Sequence, residues 1–350
     1  MTAMGFVIPG DIERPTGGYT YDRRVLALLP QFGVAPRHVV LPGSFPFPSA
    51  ADLDATERTL AELPDDMVLL IDGLAFGAMP AELVARIRQP IVALVHHPLF
   101  LETGLSHDHQ RPLHLTEKSA LTFVKAVIAV SPSTTATLVD EFSVPHEQIT
   151  MANPGTDKAP RAVGTGAPLQ LLSVGSIVPR KAYDVLVRAL AAVPGDWRLT
   201  IAGPAERNSE AYAALTQALA QTGLGPKVRL VGALARDELD KLYAAADIFV
   251  LASLHEGFGM VLAEAMARGL PIVCTTGGAA AETAPDDAAI KVPPGDVAAL
   301  GAAIASVAGD AGLRKRMGEA SWAAGQHLPR WEDTARIIAD VVKSIARQSS

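Results

Sequence analysis

Short apolar runs alternate with stretches of helical periodicity along almost the whole chain. In the first half, "FVIP" (6–9), "HVVLP" (38–42), "VLLID" (68–72), "IVALV" (91–95), "AVIAV" (126–130) and "QITMAN" (148–153) read as six strands. Segments 20–32, 52–63, 80–88, 115–125 and 132–141 carry helix patterns between them. Strands that are apolar throughout are buried on both faces, and helices between successive strands make the sheet parallel. The stretch "NPGTDKAPRAVGTGAPLQ" (153–170) is dense in Gly and Pro, lacks an apolar period and reads as a linker. The alternation then resumes, with strands at 169–175, 198–203, 228–232, 248–252, 271–275 and 289–293. Helices are predicted at 182–193, 209–222, 236–245, 259–268, 296–308 and 311–326, and an amphipathic segment follows at 331–346.

The chain therefore reads as α/β, with two Rossmann-like doubly wound parallel-sheet domains over 1–158 and 159–330. The remainder, 331–350, is expected to cross back to the first domain as a helix. Ligands of such sheets bind beyond the carboxyl ends of the strands, so an inter-domain cleft is the expected active site.

Composition narrows the partners. A chain of 350 residues exceeds a typical single core, in keeping with two domains. Residues 1–160 hold 11 Lys+Arg against 18 Asp+Glu, whereas 161–350 hold 19 of each. An acidic first half speaks against nucleic acid and against an anionic membrane surface. No apolar stretch is long enough to span a bilayer, and "MGFVIPG" opens on a strand pattern without a secretory signal. The lone Cys274 suits a reducing compartment, so a cytoplasmic location is expected.

Candidate chemistry concentrates around "HEGFGMVLAEAMARGLPIV" (255–273), where Glu256 and Glu264 flank the mouth of an Ala-rich helix. A helix start offers unpaired N–H groups and partial positive charge to a phosphate, and Gly257 and Gly259 let the backbone come close. At the helical rise the two carboxylates are separated by up to ~12 Å. That exceeds the ~5–5.5 Å of a retaining glycosidase pair and the usual inverting range. Two readings stay open on these residues alone: a capped helix with solvated acids, or a clamp that grips a long ligand at both ends.

The pattern "EGFGMVLAE" (E-x7-E) followed by "AMARGLPIV", with its strand, glycines and "PGTD" stretch upstream, resembles the retaining GT-B glycosyltransferases of family GT4. The resemblance extends over most of the chain. It implies that Glu264 holds the ribose hydroxyls of a nucleotide sugar and Glu256 the hydroxyls of the donor sugar. Backbone amides around Phe258, Gly259 and Met260 would face the diphosphate and sugar. In "SVGSIVPRKAYDVLVRAL" (173–190), Lys181 matches the family lysine on the donor phosphates, with Arg180 beside it. This chain departs from the pattern in having Ser176 where many relatives carry an arginine, and Ala182 where they carry a glycine. Gly277 and Gly278 in "TTGGAAAE" resemble the glycine loop near the sugar and phosphate. Gly17 and Gly18 resemble the loop that approaches the donor phosphates. In "IVALVHHPLF", His96, with His97 as the second candidate, matches the histidine facing the transferred sugar.

"SHDHQRPLH" (106–114) superficially resembles a metal site, but His107 and His109 at i, i+2 on a loop lack ligand spacing. The family resemblance also implies metal-independent transfer with no cofactor beyond the nucleotide-sugar co-substrate. The expected function is retaining transfer of a hexose from a UDP- or GDP-sugar to an acceptor hydroxyl by front-face attack. A nucleotide-sugar epimerase, a phosphorylase and a non-catalytic nucleotide-sugar-binding protein are the competing readings. No motif names the acceptor. Helix 20–32, with Arg23 and Arg24, would meet the inner membrane face peripherally if the acceptor is a lipid.

Overall fold

The computed structural model describes residues 1–102 and 107–348. The chain divides into two units, Met1–Gly155 with Pro329–Ser350, and Thr156–Leu328, boundaries a few residues ahead of those read from the linker.

The first unit runs β1 (Thr2–Pro9), α1 (Gly17–Leu28), β2 (Val34–Leu41), α2 (Ala50–Ala61), β3 (Val68–Asp72), the short α3 (Gly73–Phe76) and α4 (Ala81–Val84), and β4 (Ile91–Val95). It continues with α5 (His107–Leu121), β5 (Ala126–Ala129), α6 (Pro132–Asp140) and β6 (Ile149–Met151). The sheet order is β2-β1-β3-β4-β5-β6, and all of its pairings are parallel. The order reverses between β1 and β3, so the loops after these strands open a crevice at their carboxyl ends. Val7, Leu69, Ile71, Ala93 and Val127 from neighbouring strands form the core of one face with Leu60, Phe76 and Leu138. Burying each large aliphatic side chain contributes about 1.5–3 kcal/mol.

The second unit runs β7 (Leu169–Val174), α7 (Tyr183–Leu190), β8 (Trp197–Ala202), α8 (Ser209–Thr222), β9 (Val228–Leu230), α9 (Arg236–Ala245) and β10 (Ile248–Leu251). There follow α10 (Met260–Met266), β11 (Ile272–Thr275), α11 (Ala280–Thr283), β12 (Ala289–Val292), α12 (Val297–Gly309) and α13 (Ala311–Gly325). Its order, β12-β11-β10-β7-β8-β9, puts the switch point between β7 and β10. The loops after those two strands carry Lys181 and Glu256. The linker lies along this unit: Asp247 accepts the backbone N–H groups of Thr165, Gly166 and Gln170.

The last helix, α14 (Trp331–Gln348), belongs to the first unit, where Ile338, Ala339 and Val342 are fully buried. Gly155 lets Trp331 come close, because a Cβ there would lie 2.2 Å from the Trp331 nitrogen. Among the described residues no single helix is long and apolar enough to cross a membrane.

β1 and β2 each begin four residues earlier than the apolar runs suggest, and α3 and α11 are additional; three further readings change near the site. α1 begins at Gly17 rather than 20, because the Thr16 side chain accepts the Tyr19 N–H as an N-cap. The segment 80–88 shortens to Ala81–Val84 between Pro80 and Pro90. α5 starts at His107 rather than 115 and takes in Pro112, so His109 lies on a helix and not on a loop. Residues 103–106 and the His107 side chain lie outside the described residues, and with them part of the metal reading of 106–114.

Candidate active site

The second unit brings together side chains from two loops at its switch point. Lys181 Nζ donates to Glu256 Oε1 at 2.6 Å, and Arg180 Nη1 donates to Glu256 Oε2 at 3.2 Å and to the His255 carbonyl at 2.9 Å. Leu254 N–H donates to the Arg180 carbonyl at 2.7 Å, tying the loops together through the backbone as well. Glu256 and Lys181 are only 6% and 8% exposed, so this is a buried ion pair rather than a solvated one. Burial alone would disfavour the Glu256 carboxylate, but Lys181 and then Arg180 outweigh it and hold the carboxyl down at about 2. In these contacts two cations share one carboxylate.

Glu264 lies in the second turn of α10 with a separate set of partners. Its oxygens accept from Arg236 Nη1 at 3.0 Å and from the Tyr243 hydroxyl at 2.9 Å. The two glutamates thus share no partner, and neither is a plain solvated acid. Gly259, at φ +86°, is the N-cap of α10 and sets Met260 at the helix start. Phe258 and Gly257 lie half-buried in the same turn.

Gly278 packs against the Glu256 loop. Glu256 N–H donates to the Gly277 carbonyl, Ala279 N–H donates to the Glu256 carbonyl, and Glu256 pairs with Gly278 in an isolated parallel bridge. A Cβ on Gly278 would lie 2.4 Å from the Glu256 carbonyl oxygen, so the Gly-Gly turn exists to back the Glu256 loop closely.

The two departures from the family pattern have structural counterparts. Ser176 accepts from Arg207 Nη1 at 3.2 Å, so a guanidinium from the loop before α8 reaches the position that lacks an arginine. Arg180, by contrast, is engaged with Glu256. Ala182 sits at φ +47°, ψ +45°, a left-handed conformation that glycine adopts without strain and alanine does not. Ala182→Gly is expected to stabilise the protein by about 0.5–1 kcal/mol, read as a higher urea midpoint. A lower midpoint would show that the backbone here is not strained.

In the first unit, Gly17 and Gly18 form the first turn of α1, and a Cβ on Gly18 would lie 3.4 Å from His96 Cδ2. His96 therefore sits against the glycine turn, whereas His97 Nε2 lies 3.1 Å from Glu102 Oε2. His96 Nε2 in turn lies 3.1 Å from Asp22 Oδ1 and 3.5 Å from Asp72 Oδ2. Arg23 and Arg24 do not form a free cationic face. Arg23 donates to the Ile12 carbonyl and Thr20, and Arg24 lies over the Trp331 ring.

Asp22, Asp72, Arg207, Arg236 and Tyr243 were not among the residues singled out from sequence. Two of them left a trace. Asp72 ends an apolar strand on the same sheet edge as His96. Asp22 falls at helical spacing with Val25 and Leu29, on the face that should be apolar.

Two such doubly wound units, each a six-stranded parallel sheet, have the architecture of the GT-B fold. The profile of the family "Glycosyl transferases group 1" matches residues 157–322, nearly all of the second unit. The chain is 27% identical over 321 residues to the MMP alpha-(1->4)-mannosyltransferase of Mycolicibacterium hassiacum, covering 87% of this chain and 77% of that protein. A more local match, 35% identical over 136 residues, is to the D-inositol 3-phosphate glycosyltransferase of Mycobacteroides abscessus, covering 38% of this chain and 31% of that protein. In fold the chain is similar to sucrose-phosphate synthase from Thermosynechococcus elongatus, with TM-score 0.83, 21% identity and coverage of 99% and 100%. It is also similar to Anabaena HepE solved with UDP and glucose, with TM-score 0.78, 19% identity and coverage of 97% and 100%.

Proposed function

We propose that the protein transfers a hexose from a nucleoside diphosphate sugar, with a UDP or GDP carrier, to an acceptor hydroxyl with retention at the anomeric carbon. The observation that carries this reading is the Lys181–Glu256–Arg180 cluster, two cations on one buried carboxylate at the switch point, with Glu264 held apart on the helix that follows. Glu264 would take the ribose hydroxyls, the cluster and the start of α10 the diphosphate, and Glu256 the sugar hydroxyls. Arg207 adds a third cation, beside Ser176.

In the reaction, the C1–O bond to the diphosphate breaks and a bond from the acceptor oxygen to C1 forms on the same face. The departing phosphate oxygen takes the acceptor proton. The protein's part is to stabilise charge developing on the leaving oxygen by groups already oriented toward it. No enzymic nucleophile and no metal enters this scheme. Two relatives carry mannosyl names, so mannose donors belong first in an assay, with sugar phosphates and polyols as acceptors.

The test is a thermal-shift screen of UDP, GDP and their hexose conjugates, followed by product mass spectrometry and NMR of the new anomeric centre. One nucleotide should raise Tm, and the product should keep the donor's configuration. An inverted product would overturn the front-face reading. Glu264→Ala is expected to weaken nucleotide binding by roughly 10–100-fold, because it removes a bidentate set of charge-assisted contacts. Its effect on kcat should be much smaller, a split that steady-state kinetics resolves.

A further inference from the structure

We propose that Asp22 and Asp72 are positioning residues that hold His96 as an oriented imidazolium, leaving its Nδ1–H for a ligand oxygen. This rests on the reading of His96 as a group facing the transferred sugar. The assignment of the two acids comes from the first unit's own geometry.

His96 Nε2 is within 3.1 Å of Asp22 Oδ1 and 3.5 Å of Asp72 Oδ2, and both acids are buried. The ionised acid of the pair can only accept, so Nε2 carries a proton, and the ring is turned with Nε2 inward. Among the described residues nothing hydrogen-bonds Nδ1, although the side chain is 20% exposed. Asp72 has a second anchor, because its Oδ1 accepts the Leu74 N–H at 2.6 Å. Asp22 does not: its Oδ2 is buried without a partner.

Charge decides the protonation state. With a neutral imidazole, two ionised acids would leave two uncompensated charges in a buried site, at a cost of several kcal/mol each. An imidazolium offsets one, and a proton on Asp22 removes the other, so the cluster closes neutral. The individual groups follow this division. Burial and then Asp72 push the Asp22 carboxyl up. Burial opposes ionisation of Asp72, but the His96 contact outweighs it and the carboxyl lies below its ordinary range. Burial pushes His96 down, and Asp22 and then Asp72 reverse this and raise it.

The other groups around the ring fit the same scheme. Tyr21 stands edge-on at 5.0 Å, with its hydroxyl donated to the Ala152 carbonyl at 2.9 Å. Trp331 packs on Tyr21, with the Arg24 guanidinium on its far ring contact, and His97 turns to Glu102. Gly18 closes the Cδ2 edge. A cation fixed in this way can donate to a sugar hydroxyl or to a developing oxyanion without reorganising.

The direct readout is long-range 1H–15N NMR of the full chain, with His96 assigned by its absence in His96→Gln. Both nitrogens of His96 should be protonated at pH 7.5 and remain so above pH 8. Asp22→Asn and Asp72→Asn should bring its titration back toward the ordinary ~6.5. In transfer assays these variants should lose roughly 10–100-fold in kcat, with the pH profile shifted and nucleotide binding unchanged. Should Asp22→Asn fail to fold, Asp72→Asn, whose Oδ1 can still accept Leu74 N–H, carries the test alone. A neutral His96 at pH 7.5 in the wild type overturns the proposal, as do Asn variants with unchanged kcat and pH profile. Loss of the His96 signal on adding Mn2+, abolished in Asp22→Asn, would replace it with a cation site. The NMR titration needs no donor, so failure of the transfer reading would show separately, as absent turnover with His96 still protonated.

Discussion

Glu256→Gln is expected to reduce transfer by at least ~10²-fold and to destabilise the second unit by about 3–5 kcal/mol, two losses with one origin. The carboxylate lies between Lys181 and Arg180, and both of those contacts are largely withdrawn from water. The amide keeps the shape but not the charge, so two cations are left facing each other across a neutral group. The substitution also removes the acceptor proposed for the donor sugar's hydroxyls. Thermal unfolding reads the loss of stability and kcat/KM the loss of transfer. Acid should not mimic the variant in the working range. The folded carboxyl lies at about 2, below its unfolded value near ~4.5, so its contribution is complete above that unfolded value. It is lost only as pH falls through the folded value. Activity that declines between pH 7 and 5 would therefore have to be assigned to another group.

The part of this architecture legible in the sequence is the part that depends on runs. "VLLID" and "IVALV" sit between helices in a parallel sheet, so neither face needs a polar residue, and the apolar stretch matches the strand at both ends. Element starts were less legible where a single side chain sets them, as Thr16 does for α1. Pro112 inside α5 made a helix look like a loop. The site divides in the same way. Spacing within one segment fixed Glu256 and Glu264 as a pair with a helix between them. Their partners were out of reach, because Lys181 is 75 positions from Glu256 and Arg236 is 28 from Glu264. His96 stood out at a strand's carboxyl edge, but Asp22 is 74 positions away on a helix that looked merely amphipathic. Pairings of this kind are set by sheet order, and no local pattern encodes them.

Lys181→Met separates what the cluster does for stability from what it does for chemistry. Alone, it should lower kcat by roughly 10²–10³-fold, since a cation beside the leaving phosphate acts mostly in the transition state. It should cost less stability than Glu256→Gln, because Arg180 still neutralises the carboxylate. Combined with Glu256→Gln, the outcome should diverge. The double variant buries a thioether against an amide and leaves Arg180 donating to the His255 carbonyl, so no charge is stranded between two others. Replacing a whole buried ion pair is often close to neutral, whereas removing one partner is not. The double variant should therefore recover most of the stability lost in Glu256→Gln and none of the activity. A stability cost equal to the sum of the two single costs would mean that Lys181 and Glu256 are energetically independent, which a contact of 2.6 Å in a buried site does not allow. Recovered transfer in the double variant would move the charge that stabilises the leaving group elsewhere, with Arg207 at Ser176 the first position to substitute.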